Sequence, residues 1–230
     1  MPHRTNRLLQ ALSPELHQAI LSLGRTVELP AGTVLYSPGE APAHVYFLLS
    51  GLVSVAVSVA DGGCAEVGMA GTEGLIGSSW LLGPQRPVAR WFVQLSGTSL
   101  RLPIADARRL FAENSEFRAR VLEYMQAELL FTSQLAACNK LHQAAERTAR
   151  WLLTAADMSA SETMPLTQEG LSQMLGTRRT TIALVAGDMQ RKGVLRYRRG
   201  LVKIANRESL AASACDCYGV TKRLMDGLYT

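Results

Sequence analysis

The chain is 230 residues long, with 47% hydrophobic and 19% charged side chains. That balance belongs to a core-forming protein and excludes a disordered one, and the length suits two domains of roughly 100–150 residues. No apolar run reaches the roughly 18 residues a membrane span needs, and Arg4 and Arg7 are followed by no apolar stretch, so neither a span nor a secretory leader is expected. The net charge of +5 is unevenly placed: residues 1–143 hold eleven Lys/Arg and eleven Asp/Glu, residues 144–214 hold eleven against six, and residues 215–230 hold two of each. An excess confined to one segment is what a phosphate-binding module requires, because neutralising phosphates releases condensed counterions. The cysteines Cys64, Cys138, Cys215 and Cys217 are sparse, as expected of free thiols in a reducing cytoplasm.

In chain order, Leu8, Leu9, Leu12, Leu16, Ile20 and Leu23 follow a helical period, and Ser13-Pro14 fits a cap with proline at the first helical position. From Thr26 to Leu102 the texture is β. Short runs at Val27–Leu29, Thr33–Tyr36, Val45–Leu49, Leu52–Val59, Glu66–Met69, Trp91–Leu95 and Ser99–Leu102 are separated by Gly- and Pro-bearing turns. Asp61-Gly62, between two alternating runs, reads as a hairpin turn. Many short strands at this spacing predict an antiparallel sandwich or small barrel. Ala105–Glu113 reads as a short helix and Phe117 to about Leu141 as one long helix. Within the latter, Leu122, Met125, Leu129, Thr132 and Ala136 fall at alternating steps of three and four, a seam that can pair two identical helices.

Glu146–Ala156 reads as a helix with Glu146 and Arg150 spaced for an i,i+4 pair, and Ser159–Pro165 as a polar break. Thr167 can cap a helix whose apolar positions are Leu171, Met174 and Leu175. Gly176 then permits a sharp turn into a second helix, Arg178–Lys192, with Ile182, Val185, Ala186 and Met189 inward and Gly193 as the stop. Val194–Tyr197, Arg198-Arg199-Gly200 and Leu201–Ala205 form a basic hairpin. Helix, turn, helix and basic hairpin together predict a winged helix-turn-helix. The second helix opens with Thr177, Arg178, Arg179, Thr180 and Thr181, where such a helix enters the major groove. Arginine can meet guanine O6 and N7 together, and threonine a phosphate, a base edge or a thymine methyl. Thr167, Gln168, Arg191, Lys192, Arg196, Arg198 and Arg199 complete the expected DNA-binding set.

Over about residues 10–215 the sequence resembles the catabolite-activator/fumarate-nitrate-regulator (CRP/FNR) family of bacterial transcription factors. The resemblance rests on Leu29-Pro30-Ala31-Gly32-Thr33-Val34-Leu35, Pro38-Gly39-Glu40, Tyr46-Phe47-Leu48-Leu49-Ser50-Gly51, Leu166-Thr167-Gln168-Glu169, Leu175-Gly176, Arg179-Thr180-Thr181 and Gly193-Val194-Leu195. It implies an α+β chain with an N-terminal antiparallel, cyclic-nucleotide-binding-type β-roll (1–115), a long central dimerisation helix (116–143), a C-terminal winged helix-turn-helix (144–214) and a tail (215–230). It further implies a homodimer on a near-palindromic operator. Arg179 falls at the family's guanine-reading arginine, Thr180 where many members carry a base-contacting Glu, and Leu184 where some carry a second basic contact.

The sensory site departs from the cyclic-AMP pattern of Gly-Glu followed about ten residues later by Arg and a small residue. The counterpart is Ile76-Gly77-Ser78-Ser79-Trp80, with Ser78 in place of the acid; Arg86 precedes Pro87 and Arg90 precedes Trp91. Gly77, Ser78, Ser79, Arg86 and Arg90 are the candidate effector pocket, and a cyclic nucleotide is not expected there. Neither is an iron–sulfur cluster, because the family's N-terminal cysteine group is missing. His3, His17, His44 and His142 are too scattered to suggest haem. Cys215-x-Cys217 does not complete a zinc site by itself, so no metal is assigned. Expected partners are duplex DNA and a second copy of the chain, with RNA polymerase and an unidentified small effector beyond them, in the cytoplasm and away from membranes. Two rival readings are a cupin-like metalloenzyme and a ligand-sensing module that binds no DNA. Val27–Leu102 contains one histidine, which argues against the first, and the charge beside the helix-turn-helix argues against the second. No catalytic constellation stands out.

Overall fold

A computed structural model describes residues 5–60 and 62–230. His3, Arg4 and Asp61, named above, lie outside the described residues. The chain forms two compact units. One holds the residues up to Val55, Met69–Leu130 and Met225–Thr230, and the other holds Ala56–Gly68 and Phe131–Leu224.

The first unit opens with α1 (Arg7–Gln10) and α2 (Pro14–Leu23), the latter led by Ser13 with Pro14 at its first position. Then come β1 (Arg25–Leu29), β2 (Val34–Tyr36), β3 (His44–Leu48), β4 (Leu52–Ser58), β5 (Cys64–Ala70), a 3₁₀ turn (Ser78–Leu81), β6 (Arg90–Leu95) and β7 (Gly97–Pro103), the Ala56–Gly68 parts of β4 and β5 belonging to the second unit. One sheet has the order β1-β7-β3 and the other β2-β6-β4-β5. β7 sits antiparallel between its neighbours, with Leu29 opposite Gly97 and Leu48 opposite Ser99. Leu29, Tyr36, Tyr46, Leu48, Val53, Ala70 and Val93 from the two sheets, with Ile76 and Trp80 from the segment between β5 and β6, form one buried cluster. Period-2 alternation is what sends these residues to a shared interior.

α3 (Ile104–Glu113) and the 27-residue α4 (Ser115–Leu141) follow. α4 carries two apolar faces. Phe117, Val121, Tyr124, Ala127, Phe131, Leu135 and Cys138 are buried, whereas Leu122 and Leu129 are 44% and 67% exposed. The last residues return to the first unit. Arg7 donates to the carbonyls of Met225, Asp226 and Leu228, and Tyr229 donates through its amide to Glu123 and through its hydroxyl to the carbonyl of Glu73.

The second unit holds α5 (Ala144–Ser159), β8 (Thr163–Pro165), α6 (Gln168–Met174), α7 (Arg179–Arg191), β9 (Leu195–Arg198), β10 (Leu201–Ile204), α8 (Arg207–Ala212) and α9 (Cys217–Asp226). Its small sheet has the order β8-β10-β9. The segment read as a polar break thus contributes a third strand: Met164 is fully buried and pairs with Val202. α5 is buried on nearly all sides from Thr148 to Ala156. The expected Glu146–Arg150 surface pair is therefore replaced. Glu146 turns back to accept from the amide of Gln143 at the helix start (2.8 Å), and Arg150 is 2% exposed. The indole of Trp151 donates to buried Glu66 of β5 at 2.8 Å, which satisfies both polar groups where water is excluded. α9 lies in the stretch expected to be a tail, and its Cys217, Thr221 and Met225, at helical steps of four, are buried.

Candidate nucleic-acid interface

Thr167 caps α6, its hydroxyl accepting from the amide of Gly170 at 2.9 Å. α6 ends at a turn whose Gly176 has φ +55°, a left-handed conformation that costs glycine little and a β-carbon much. α7 follows at once, with Arg178 at its cap, and its Ile182, Ala186 and Met189 face inward. At its far end the amide of Val194 bonds the carbonyl of Met189 and that of Gly193 bonds Gln190, which closes the helix by the glycine-stop geometry.

β9 and β10 form the wing, with Arg198 opposite Leu201. Its tip is a two-residue turn in which Arg199 (φ +49°) and Gly200 (φ +77°) are both left-handed, the turn whose twist matches a hairpin. Tyr197 fixes the wing to the helices: its hydroxyl donates to the carbonyl of Leu166 and its amide donates to Gln190. Burial pushes its phenol up to about 12, so it remains a donor. The sequence reading gave Tyr197 no role, since only the fold brings it to Leu166.

Thr167, Gln168, Glu169, Arg179, Tyr197 and Gly200 line one open groove. Arg178, Arg179 and Thr180 are exposed, with Thr177 and Thr181 half-buried, and Arg196, Arg198 and Arg199 are exposed along the wing. Arg179 faces Glu169 at 3.9 Å, both side chains more than half exposed; so open a pair is weak and gives way readily to a stronger anion. Arg191 and Lys192 do not join this group. They lie twelve or more residues further along, about 18 Å away at 1.5 Å per residue, and pair with Asp188 at 3.2 and 2.7 Å. Hydrogen bonding from Lys192 holds the Asp188 carboxyl below its usual range. The outward face of α7 between the two ends presents Thr180, Ala183 and Leu184, the last 76% exposed.

The residues expected to form an effector pocket each have their own neighbours. Gly77 is left-handed (φ +89°), and a β-carbon there would sit 2.2 Å from the hydroxyl of Tyr36. Ser78 is buried and donates to Glu128 of α4 at 2.7 Å. Ser79 is exposed. Arg86 donates to the carbonyl of Gly39, and Arg90 stacks over Phe92 with its guanidinium carbon 5.0 Å from the ring centre. Tyr36, Trp80 and Trp91 pack edge to face at 4.4–5.8 Å between ring centres. Beside them, Glu128 also accepts from Tyr124, and burial pushes its carboxyl up to about 7.

These features define a class: a β-roll unit joined through a long helix to a winged helix-turn-helix, the build of a DNA-binding transcription regulator. The comparisons agree. Residues 26–114 match the cyclic nucleotide-binding domain model and residues 146–213 the Crp-like helix-turn-helix domain model. A CRP-like cAMP-activated global transcriptional regulator of Mycobacterium tuberculosis is 24% identical over 217 residues, covering 90% of this chain and 96% of that protein. Among solved structures, a CRP/FNR-family transcriptional regulator from Eubacterium rectale superposes with a TM-score of 0.70 at 14% identity, covering 89% of this chain and 96% of that one. The c-di-GMP responsive global regulator CLP of Xanthomonas campestris gives 0.68 at 17%, covering 84% and 100%. The chain belongs to the CRP/FNR family of transcription regulators. Among the described residues no helix is long and apolar enough to cross a membrane.

Proposed function

We propose that the protein acts in the cytoplasm as a homodimer that reads a near-palindromic DNA site, as a regulator and not a catalyst. The observation that carries this is the exposed, weakly paired N-terminal end of α7, Arg178–Thr180, set beside a wing tip of two further arginines. In this reading Arg179 binds a guanine edge, while Thr180 and Leu184 contact a base edge or a thymine methyl. Thr167, Gln168, Thr177 and Arg178, with Arg196, Arg198 and Arg199, hold backbone phosphates. Arg191 and Lys192, at the far end of α7, contribute only to the general field.

Pairing runs along α4 through Leu122, Met125, Leu129, Thr132 and Ala136. Its support is that Leu122 and Leu129 are large, apolar and exposed while the opposite face of the same helix is already covered. Two α7 helices then meet half-sites one turn, about 34 Å, apart. The β-roll shifts the population of dimer arrangements through its bond from Ser78 to Glu128 on the pairing helix. It does so without a cyclic nucleotide: Tyr36, Trp80 and Trp91 pack on one another within it, Arg86 bonds the carbonyl of Gly39 and Arg90 lies over Phe92. RNA polymerase is the expected further partner.

Selecting bound duplexes from a random pool tests the whole reading. A near-palindrome with half-sites one turn apart is expected, unchanged by added cyclic AMP. A monomeric protein that enriches no sequence at low salt would overturn it.

A further inference from the structure

Among the described residues one group of three or more His, Cys, Asp or Glu side chains has the spacing to hold a metal ion. Cys138 and His142 lie one turn apart at the end of α4, and Cys215 and Cys217 flank the start of α9. The three thiols and the imidazole bring their ligand atoms to within 4.8 Å of one another. Cys138 and Cys215 have sulfurs 3.5 Å apart, and the Cys217 sulfur lies 3.6 Å from Nδ1 of His142. A single tetrahedral ion with metal–sulfur bonds of about 2.3 Å and a metal–nitrogen bond of about 2.0–2.1 Å needs neighbouring ligands about 3.6–3.8 Å apart. An iron–sulfur cluster, with several irons and bridging sulfides, holds its protein ligands wider than that.

We propose that Cys138, His142, Cys215 and Cys217 bind one zinc ion in a closed Cys₃His site. Three surrounding contacts support it independently of the ligand spacing. Nε2 of His142 faces the carboxylate of Asp216 at 3.6 Å, the outer partner that orients a metal-bound imidazole and leaves Nδ1 to the ion. Gln134 donates its amide to the Cys217 sulfur at 3.1 Å, as outer donors do to a thiolate. Arg150 is 2% exposed, its Nε and one Nη have no hydrogen-bond partner among the described residues, and its charge acts on Cys138. A buried cation without a counter-charge is costly; a zinc dication with three thiolates and a neutral imidazole carries one negative charge and supplies it.

The site also has a mechanical meaning. Its two halves bracket α5, α6, α7 and the wing, so zinc closes a loop containing the entire DNA-reading module and fixes the ends of that loop together. Binding displaces one proton from each of three thiols and creates no new oxidation state. Zinc is therefore structural here, and its loss loosens the module that carries α7.

The test uses the full chain purified under reductant. Expected are one zinc per chain by elemental analysis and, after chelation, reloading with cobalt(II) to give the intense visible bands and thiolate charge transfer of a tetrahedral S₃N site. Cys138→Ser and Cys217→Ser should each weaken zinc binding at least tenfold, while Cys64→Ser, outside the cluster, keeps it. Should the cysteine variants fold poorly, Asp216→Asn, at an exposed outer position, should still lower affinity about 10–100-fold. A protein that reloads no zinc, an octahedral cobalt spectrum, iron with sulfide in place of zinc, or a Cys138–Cys215 disulfide persisting in reductant would each overturn the proposal.

Discussion

Replacing Glu128 by glutamine should remove a pH dependence of stability that the fold builds into the β-roll unit. The carboxyl sits between Ser78 and Tyr124, both donating to it. Burial outweighs these bonds and, with repulsion from Glu73, pushes it from 4.5 to about 7. Between those values the folded chain holds a proton that the unfolded chain has lost, so stability falls as pH rises through this window and levels off above about 7. At 1.36 kcal/mol per tenfold change in proton affinity, the full swing is about 3 kcal/mol. Glu73 is itself raised by burial, even though it accepts from the amide of Gly71. It shares some of this titration, so the swing belongs partly to the pair. Urea unfolding of wild type and Glu128→Gln, followed from about pH 5 to pH 8 at one protein concentration, isolates the effect as a difference. Wild type should lose about 2–3 kcal/mol more than the variant across the range. Parallel curves, or a wild type that gains stability relative to the variant as pH rises, would show that Glu128 is solvated and that the reasoning from burial is wrong.

Arg179→Ala should cost about 1–3 kcal/mol of specific binding and relax preference at one base position in each half-site, read by repeating the pool selection. Joint replacement of Arg198 by Ala and Arg199 by Asn, the latter because residue 199 has φ +49° and Asn tolerates that conformation, should weaken binding to all sequences alike. Two phosphate contacts per protomer should leave the salt dependence, a slope near 0.9 per contact, shallower by about 4 for a dimer; an unchanged slope rejects the phosphate role. Leu129→Asp, at a side chain 67% exposed in the protomer, should convert the dimer to folded monomers in sedimentation at unchanged circular dichroism, whereas a monomer that also unfolds would mean the leucine packs within its own chain.

The β-roll and the helix-turn-helix were legible because their signals are local. Alternation placed the strands, Gly176 and Gly193 punctuated α7, and Thr167 marked the start of α6. The misreadings share a different cause. Glu146 and Arg150 are spaced for a surface pair, but α5 is covered nearly all round, so Arg150 points into the interior and Glu146 serves the helix start instead. Thr163–Pro165 reads as a break because three residues carry no period; the strand exists only because β10 offers Met164 a partner in Val202. α8 is too short to show a period, and tertiary contacts hold it, among them the carboxylates of Asp157 and Glu162 on Arg207; α9 does carry a period, with Cys217, Thr221 and Met225 buried at steps of four, inside the stretch expected to be a tail.

The candidate site residues divide along the same line. The arginines of α7 and the wing could be named from sequence because a helix end and a hairpin tip fix where their side chains point, whatever the rest of the chain does. α4 shows the limit. It has two apolar faces at almost the same spacing, Phe117-Val121-Tyr124-Phe131-Leu135-Cys138 and Leu122-Met125-Leu129, and periodicity cannot say which one the protomer covers. The structure answers by burying the aromatic face and leaving the leucines out, the arrangement a second copy can use. The same burial decides the chemistry of Cys138. Held on the covered face one turn from His142, it meets Cys215 and Cys217 only because the chain between residues 142 and 215 returns to its starting point. A ligand set assembled by that return has no signature in spacing; seen from the sequence, it is two pairs of ordinary residues far apart.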